Sequence, residues 1–381
     1  RGIFMVKTDD PAGRWEDPVW LVKAKGYIDP CPLWDEDGKA YLSHGCAGSR
    51  AGLKSVLFVA PMSPDGTRLL APSRIVYDGH ETQPTIEGTK FYKYNGNYYI
   101  FSPAGGVPTG WQVVLKASSL WGPYQERVVM AQGSSPVNGP HQGAWVDTPG
   151  GEHWFLHFQD KGAYGRVVHM QPMTWTEDGW PVIGEDKDGD GTGEPVMRYR
   201  KPDLKSSGIF QPSESDTFSS VEMGLQWQWQ GVPSPYWYYC NAAEGNLRLY
   251  SADQSENWRN LWDTPNIIMQ KFPSSDFTIM TKLTFVPNPQ LAQKGENCGL
   301  VIMGESYATL RMTDTPEGVM LQMVECIDAH KGNAENVLFE EELDPDKLPV
   351  PFSDRYMSGT VPPVRPLEYR ECVVYMRVEV E

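Results

Sequence analysis

A hairpin unit recurs three times in the sequence, and this repeat restricts the fold more than any other feature. The units are IDPCPLWDEDGKAYLSH from Ile28, TIEGTKFYKYNGNYYIFSPAG from Thr85 and HQGAWVDTPGGEHWFLHFQD from His141. Each contains a strand, a turn pair (Asp-Gly, Asn-Gly or Gly-Gly) that suits a two-residue hairpin, and a second strand rich in aromatic residues. A repeat of about fifty residues built from strands predicts the four-stranded blades of a β-propeller.

A polar side chain stands at the start of the inner strand of each unit: Asp29, Glu87 and His141. In a propeller the inner strands line the axis, so we expect these side chains to converge on one site. Glu87 has apolar, Gly and Thr neighbours, and an apolar setting favours the protonated form of a carboxyl group that can donate a proton. A solvated strand-end glutamate, and a turn aspartate before Pro30, explain the same residues without catalysis.

Composition and charge narrow the classes of function. Aromatic residues make up 12% of the chain, and the formal net charge is −16. Aromatic rings stack on the C–H faces of sugars, although a β core rich in aromatic residues has the same composition. The negative charge repels phosphate backbones, so no nucleic-acid partner is expected. No apolar run approaches the ~20 residues of a membrane-spanning helix, so no membrane span is expected.

The propeller pattern ends near Tyr199, where a segment rich in Pro, Ser and charged residues begins. We expect a catalytic β-propeller over 1–204, a linker over 205–217 and a second domain over 218–381. The alternating strands of this second domain predict an antiparallel β-sandwich. The predicted fold class is therefore all-β, with a propeller followed by a sandwich.

Two features are weaker signals of metal chemistry. Asp186, Asp188 and Asp190 alternate as in a calcium loop, but Glu194 comes three places too early to be its last ligand, so an acidic surface turn is favoured. The six cysteines show no CxxC pair and no zinc-finger spacing with histidine. We interpret them as small buried apolar residues.

The segments YIDPCPLWDEDGKAYL, TIEGTKFYKYNGNYYIFSPAGG, SSLWGPYQE, GRVVHMQPMTWTEDGWPVI and GLQWQWQ together resemble glycoside hydrolase family 43, in the group that carries a C-terminal β-sandwich. They run through nearly the whole chain in matching order. The resemblance implies a five-bladed propeller that removes terminal pentose units from plant polysaccharides or oligosaccharides by inversion. The implied activity is that of a β-xylosidase or an α-L-arabinofuranosidase.

The resemblance also implies a role for five residues. Glu87 in IEGTKFY corresponds to the general acid, and Asp29 in YIDP resembles the aspartate that orients the acid. His141 corresponds to an axial histidine that supports the site and in many members contacts a central ion or water. Arg166 in YGRVVHM matches an arginine that binds sugar hydroxyls, and Trp111 in AGGVPTGWQVV falls where a loop wraps the substrate. No cofactor is required, and a structural calcium ion near His141 is compatible with the resemblance.

One part of the family pattern has no match. The general base of the family is an aspartate in the first blade, in a segment like PDPS, and no such segment precedes Asp29. The first residues already match the outer part of a blade. Because an open propeller would expose unpaired strand edges, we expect a missing N-terminal segment of the protein to complete the propeller and to supply the base. Asp9, Asp10 and Asp17 lie in the wrong strand to replace it.

The leading hypothesis is an inverting, exo-acting glycoside hydrolase that releases terminal α-L-arabinofuranosyl or β-D-xylosyl residues from hemicellulose oligosaccharides. Glu87 is its acid, and Asp29 orients that acid. The alternative is a non-catalytic carbohydrate-binding propeller that lacks a base, and a structural or adhesion propeller is a third hypothesis. The expected location is periplasmic or secreted, with a cytoplasmic location left open.

Overall fold

The computed structural model describes residues 1–205, 208–211, 213–288, 295–343 and 372–381. Strands are the main regular secondary structure of these residues, and the helical segments are few and short, which confirms the all-β class. The chain divides into two compact units, Arg1–Ser207 and Gly208–Glu381. The predicted linker over 205–217 stays a prediction, and its residues 206–207 and 212 lie outside the described residues. Within the described ranges, no helix has the length and apolar character needed to cross a membrane.

Three four-stranded antiparallel sheets form most of the first unit, and each contains one of the predicted hairpin units. A two-stranded sheet precedes them, with β1 (Ile3–Met5) and β2 (Val19–Val22). Blade 1 consists of β3 (Tyr27–Trp34), β4 (Ala40–Cys46), β5 (Val56–Met62) and β6 (Arg74–Asp78). Blade 2 consists of β7 (Lys90–Tyr94), β8 (Asn97–Ala104), β9 (Trp111–Ala117) and β10 (Gln125–Met130). Blade 3 consists of β11 (His141–Asp147), β12 (His153–Asp160), β13 (Arg166–Trp175) and β14 (Pro181–Ile183).

The turns inside these hairpins differ in length. Asn95 and Gly96 form a two-residue turn with φ of 46° and 74°, as predicted. The predicted two-residue turn in blade 1 is wrong, because the backbone of Asp35 bonds to Lys39 and leaves three residues in the loop. Blade 3 has the same longer loop between residues 148 and 152. In both longer loops a glycine at the third position takes the positive φ, as in a type I turn followed by a bulge.

Two apolar clusters hold neighbouring blades together. The first joins Leu57 of blade 1 to Phe91 and Ile100 of blade 2. The second joins Phe101 of blade 2 to Phe155 of blade 3. These side chains are at most 2% exposed, and burying each one contributes about 1.5–3 kcal/mol. Packing between the blades therefore fixes the positions of the inner strands β3, β7 and β11.

The second unit contains a four-stranded sheet and several two-stranded ones. Its strands are β15 (Gln228–Trp229), β16 (Tyr238–Asn241), β17 (Asn246–Leu249), β18 (Ile268–Met269), β19 (Phe277–Phe285), β20 (Asn297–Met303), β21 (Tyr307–Asp314), β22 (Val319–Cys326), β23 (Asn336–Glu342) and β24 (Cys372–Val380). Phe285 and Met376 of the β19–β24 pair pack against Met312 and Val319 of the β20–β23 sheet. Two sheets with a shared apolar core form the expected sandwich.

The helical segments of the described residues are short. They are α1 (Gly48–Ala51) and the 3-10 turns Gly162–Tyr164, Leu261–Asp263 and Ala329–Lys331. None of the six cysteines forms a disulfide, and four of them are buried. This agrees with their interpretation as small apolar residues.

Candidate active site

A β-bulge interrupts the inner strand of each blade at the same place. In blade 1 the pairing with β4 shifts by one residue between Ile28 and Cys31. In blade 3 the pairing with β12 shifts in the same way between His141 and Ala144. A bulge bends its strand and redirects the side chains at the bend. The bulges therefore redirect the first side chains of β3 and β11 in the same way.

Blade 2 has the same bulge just before the start of β7. The backbone N–H of Glu87 donates to the carbonyl of Pro103, and the regular ladder resumes at Lys90, which pairs with Phe101. Two residues, 88 and 89, thus lie opposite one residue of β8. Each of the three bulges contains a residue with positive φ: Asp29 at 53°, Gly88 at 66° and Gln142 at 50°.

This register corrects one detail of the sequence interpretation. Glu87 and His141 occupy the same position, directly before the residue with positive φ. Asp29 is itself the residue with positive φ, and the residue that corresponds to Glu87 in blade 1 is Ile28. The three predicted side chains therefore come from two adjacent positions of the bulge.

The structure places the predicted acid against the predicted axial histidine. Nε2 of His141 lies 3.2 Å from Oε1 of Glu87. The imidazole side chain is 2% exposed, whereas the Glu87 side chain is 31% exposed. The carboxyl group is thus held by a buried partner and stays accessible to solvent.

The carboxylate of Asp29 connects all three blades. Its Oδ2 accepts hydrogen bonds from the backbone N–H of Gly88 at 3.1 Å and from Nε2 of Gln142 at 3.2 Å. Its backbone carbonyl accepts a third hydrogen bond, from Oγ1 of Thr89 at 2.9 Å. Because Gly88 and Gln142 directly follow Glu87 and His141 in the chain, these bonds bring Asp29 close to both of those residues.

Arg166 and His141 both contact the ring of Phe158. Arg166 is the first residue of β13 and is exposed. Its guanidinium lies over Phe158, 4.6 Å from the ring centroid, and the Phe158 ring centroid is 5.6 Å from that of His141. An exposed guanidinium keeps donors available for a ligand.

Trp111 is the first residue of β9 and is half-buried. Its Nε1 donates to Oε1 of Gln83 at 2.7 Å, and Nε2 of Gln83 donates to Oε1 of Glu126 at 3.1 Å. Since a carboxylate only accepts hydrogen bonds, the amide of Gln83 must face Glu126 with its nitrogen and Trp111 with its oxygen. These two hydrogen bonds fix the orientation of the Trp111 indole. Contact between the indole and a substrate stays a prediction.

Two buried histidines lie opposite the bulges of blades 1 and 3. The ring of His44 stacks on those of Tyr27 and Phe58, with ring centroids 4.2 and 4.9 Å away. Burial lowers the pKa of His44, and it lowers the pKa of His157 to about 4. Both imidazoles are therefore neutral at pH 7 and support the bulges as packed side chains.

The structural calcium ion expected near His141 stays a prediction. Nδ1 of His141 is buried and has no hydrogen-bond partner among these residues, and Ca²⁺ selects oxygen ligands over imidazole nitrogen. Across the described ranges, three potential ligand side chains come together at Asp186, Asp188 and Asp190. The carboxylate of Asp186 there accepts hydrogen bonds from backbone N–H groups of its own turn.

One residue of this site, Gln142, was not identified from the sequence. Its only local signal is that it follows His141 in the HQG segment. Its link to Asp29 spans 113 residues of sequence, so it becomes visible only when the bulges are aligned.

Residues 1–181 match the family described as Glycosyl hydrolases family 43, and residues 215–352 match the Beta xylosidase C-terminal Concanavalin A-like domain. A protein of Xylanibacter ruminicola, provisionally named a beta-xylosidase, is 45% identical over 265 residues, covering 68% of this chain and 48% of that protein. The non-reducing end alpha-L-arabinofuranosidase BoGH43B of Bacteroides ovatus is 28% identical over 322 residues, covering 80% of this chain and 56% of that protein. The chain spans about half the length of these curated relatives.

Solved structures of the family have the same fold. The xylan beta-1,4-xylosidase from Bacillus halodurans C-125 superposes with a TM-score of 0.75 at 22% identity, covering 90% of this chain and 66% of that one. The GH43 protein BlXynB from Bacillus licheniformis gives a TM-score of 0.74 at 21% identity, covering 90% and 64%. Both family matches and these folds agree with the blades and the sandwich described above. The chain belongs to glycoside hydrolase family 43, in the group that carries a C-terminal β-sandwich domain.

Proposed function

We propose that this protein is an inverting, exo-acting glycoside hydrolase that releases terminal α-L-arabinofuranosyl or β-D-xylosyl residues from plant hemicellulose oligosaccharides. One observation carries the proposal. The accessible carboxyl group of Glu87 is held by the buried His141, while the carboxylate of Asp29 accepts the N–H of Gly88, the residue after Glu87. Two carboxyl groups at one site are the minimum for glycoside hydrolysis, and the family relatives are named as xylosidases and arabinofuranosidases.

In the proposed reaction, Glu87 donates a proton to the departing glycosidic oxygen. If Nε2 of His141 carries the imidazole proton and donates it to Oε1 of Glu87, the acid carries its own proton on Oε2. Asp29 accepts the backbone N–H of Gly88, the residue after Glu87, and is proposed to orient the acid.

The attacking water needs a general base on the opposite face of the sugar. In the family this base is an aspartate of the first blade, and the segment before Asp29 has no matching motif. The proposal therefore assigns the role of general base to none of the residues named above. Arg166 and Trp111 are proposed to bind the sugar, through hydroxyl hydrogen bonds and ring contact respectively.

Turnover by the full-length protein tests the proposal. Nitrophenyl β-D-xylopyranoside and α-L-arabinofuranoside report the pentose, and NMR of the first-formed anomer reports inversion. We expect Glu87→Gln to lower kcat on unactivated oligosaccharides by about 10²–10⁴-fold. The matched control is Glu81→Gln, an exposed carboxyl in the same segment. Sugar binding without turnover in the full-length protein would instead identify a non-catalytic carbohydrate-binding propeller.

A further inference from the structure

Gln142 has a backbone conformation that residues with a side chain rarely adopt. Its φ is 50°, in the left-handed region. Such a conformation persists only where the surrounding structure determines it, and it is concentrated at functional sites. Gln142 lies in the bulge of blade 3 at the position that Asp29 occupies in blade 1 and Gly88 in blade 2.

The side chain of Gln142 fills the space above Gly88. A Cβ atom on Gly88 would lie 2.7 Å from Oε1 and 2.9 Å from Nε2 of Gln142. Glycine at position 88 therefore makes room for this amide. The packing holds the amide directly beside the residue that follows the proposed acid.

The nitrogen of this amide faces Asp29. Nε2 of Gln142 and the backbone N–H of Gly88 donate to the same oxygen, Oδ2 of Asp29. The orientation of the amide follows from chemistry, because an ionised carboxylate offers only acceptors. Two donors on one oxygen fix the rotamer of Asp29.

We propose that Gln142 is a positioning residue, which holds the side chain of Asp29 beside Glu87 and so supports proton donation to the leaving group. This inference rests on the function proposed above. It assigns no contact between Gln142 and the substrate. The role is specific to the acid step, because Asp29 is linked to the backbone next to Glu87.

The leaving group separates this role from a general structural one. In the full-length protein, Gln142→Leu keeps most of the side-chain volume over Gly88 but removes the donor. On the pentose disaccharide that the wild type hydrolyses, we expect kcat/KM to fall by about 10- to 100-fold, the effect of one hydrogen bond to a charged group. On the 2,4-dinitrophenyl pentoside, whose leaving group needs no proton, we expect little change. Equal losses on both substrates would show a merely structural role and overturn the inference.

Two further variants complete this experiment. Gln142→Glu has the same size and shape but presents acceptors to Asp29, so it should lose at least as much activity on the disaccharide as Gln142→Leu. Gln132→Leu is the matched control, because Gln132 is exposed in the same unit and its side-chain amide donates to the nearby carbonyl of Ser135. It should behave as wild type on both substrates.

A crystal structure of the Gln142→Leu variant tests positioning without reference to turnover. We expect Asp29 to change rotamer or to occupy two conformers, with a longer distance between its Oδ2 and Gly88. An Asp29 carboxylate in its original position would overturn the inference even in an active enzyme. If the full-length wild type hydrolyses neither pentoside, the proposed function fails, and this structure still decides whether Gln142 positions Asp29.

Discussion

Nε2 of His141 and Oε1 of Glu87 lie 3.2 Å apart across the boundary between blades 3 and 2. The two residues occupy the same position in the bulges of their blades, so two copies of one backbone kink bring a buried imidazole and an accessible carboxyl group together. The imidazole makes no other hydrogen bond within the described residues, since its Nδ1 has no partner there. We therefore propose that the main role of His141 is to hold Glu87, the proposed acid.

Replacing His141 by phenylalanine tests that role. Phenylalanine keeps a buried ring beside Phe158 but gives Glu87 no hydrogen bond. We expect kcat on an unactivated oligosaccharide to fall by about 10- to 100-fold, with the circular dichroism spectrum unchanged. His80→Phe is the control, because His80 is exposed on the same unit. Equal activities of the two variants would contradict the role.

Gly143 is required by the bulge of blade 3. A Cβ at this position would overlap the ring of Phe155, which is 0% exposed and cannot move aside. We expect Gly143→Ala to destabilise the protein by about 1–3 kcal/mol and to impair the site. In the same blade, a Cβ on Gly150 would meet only Oγ1 of Thr148 at 3.7 Å. A lower melting temperature for Gly143→Ala but not for Gly150→Ala is the expected result.

The relay from Glu126 through Gln83 to Trp111 can be tested with a double-mutant cycle. Gln83→Leu and Trp111→Phe each remove the same hydrogen bond to the indole. We expect each to raise KM for the pentoside by about fivefold, the effect of one neutral hydrogen bond, and the double variant to cost no more than either single one. Additive effects would show that the two residues act independently.

The buried His157 should make stability depend on pH. Burial lowers its folded pKa to about 4, whereas an unfolded histidine titrates near 6.5. Below pH 6.5 the unfolded chain therefore binds a proton at His157 that the folded chain does not bind until the pH approaches 4. Because of this difference in pKa, the free energy of unfolding has its full value above pH 6.5. It decreases by about 3 kcal/mol as the pH falls towards 4.

Urea unfolding of the full-length protein at pH 7 and pH 4.5 measures this loss. His157→Gln cannot titrate, so the variant should lose less stability than the wild type between these two pH values. Identical losses would show that His157 is protonated in the folded protein.

The sequence predicted those parts of the fold that leave a local pattern. The turn at Asn95-Gly96 and the aromatic strands around it are readable because positive φ and alternation restrict residue type. The bulges leave no such trace: Asp29 and Gln142 take positive φ although neither is glycine. For this reason the register of Asp29 relative to Glu87 was off by one residue.

A partner of Asp29 in another blade was not predicted from the sequence, for a related reason. Glu87, Asp29 and His141 were found from the repeat and the family motifs. Gln142 was not, because its importance lies in an amide contact with Asp29 in a different blade. Contacts of this kind depend on how the blades pack, and no spacing within one blade encodes them.

The inner strands share one backbone kink, but the side chain at the kink differs from blade to blade. Asp29, Gly88 and Gln142 occupy one conformation with three unrelated side chains: an anion, a hydrogen atom and an amide. One or two substitutions at the kink can therefore give a blade a new functional side chain without changing its sheet or its packing. Divergent substrate preferences within such a scaffold need no change in architecture.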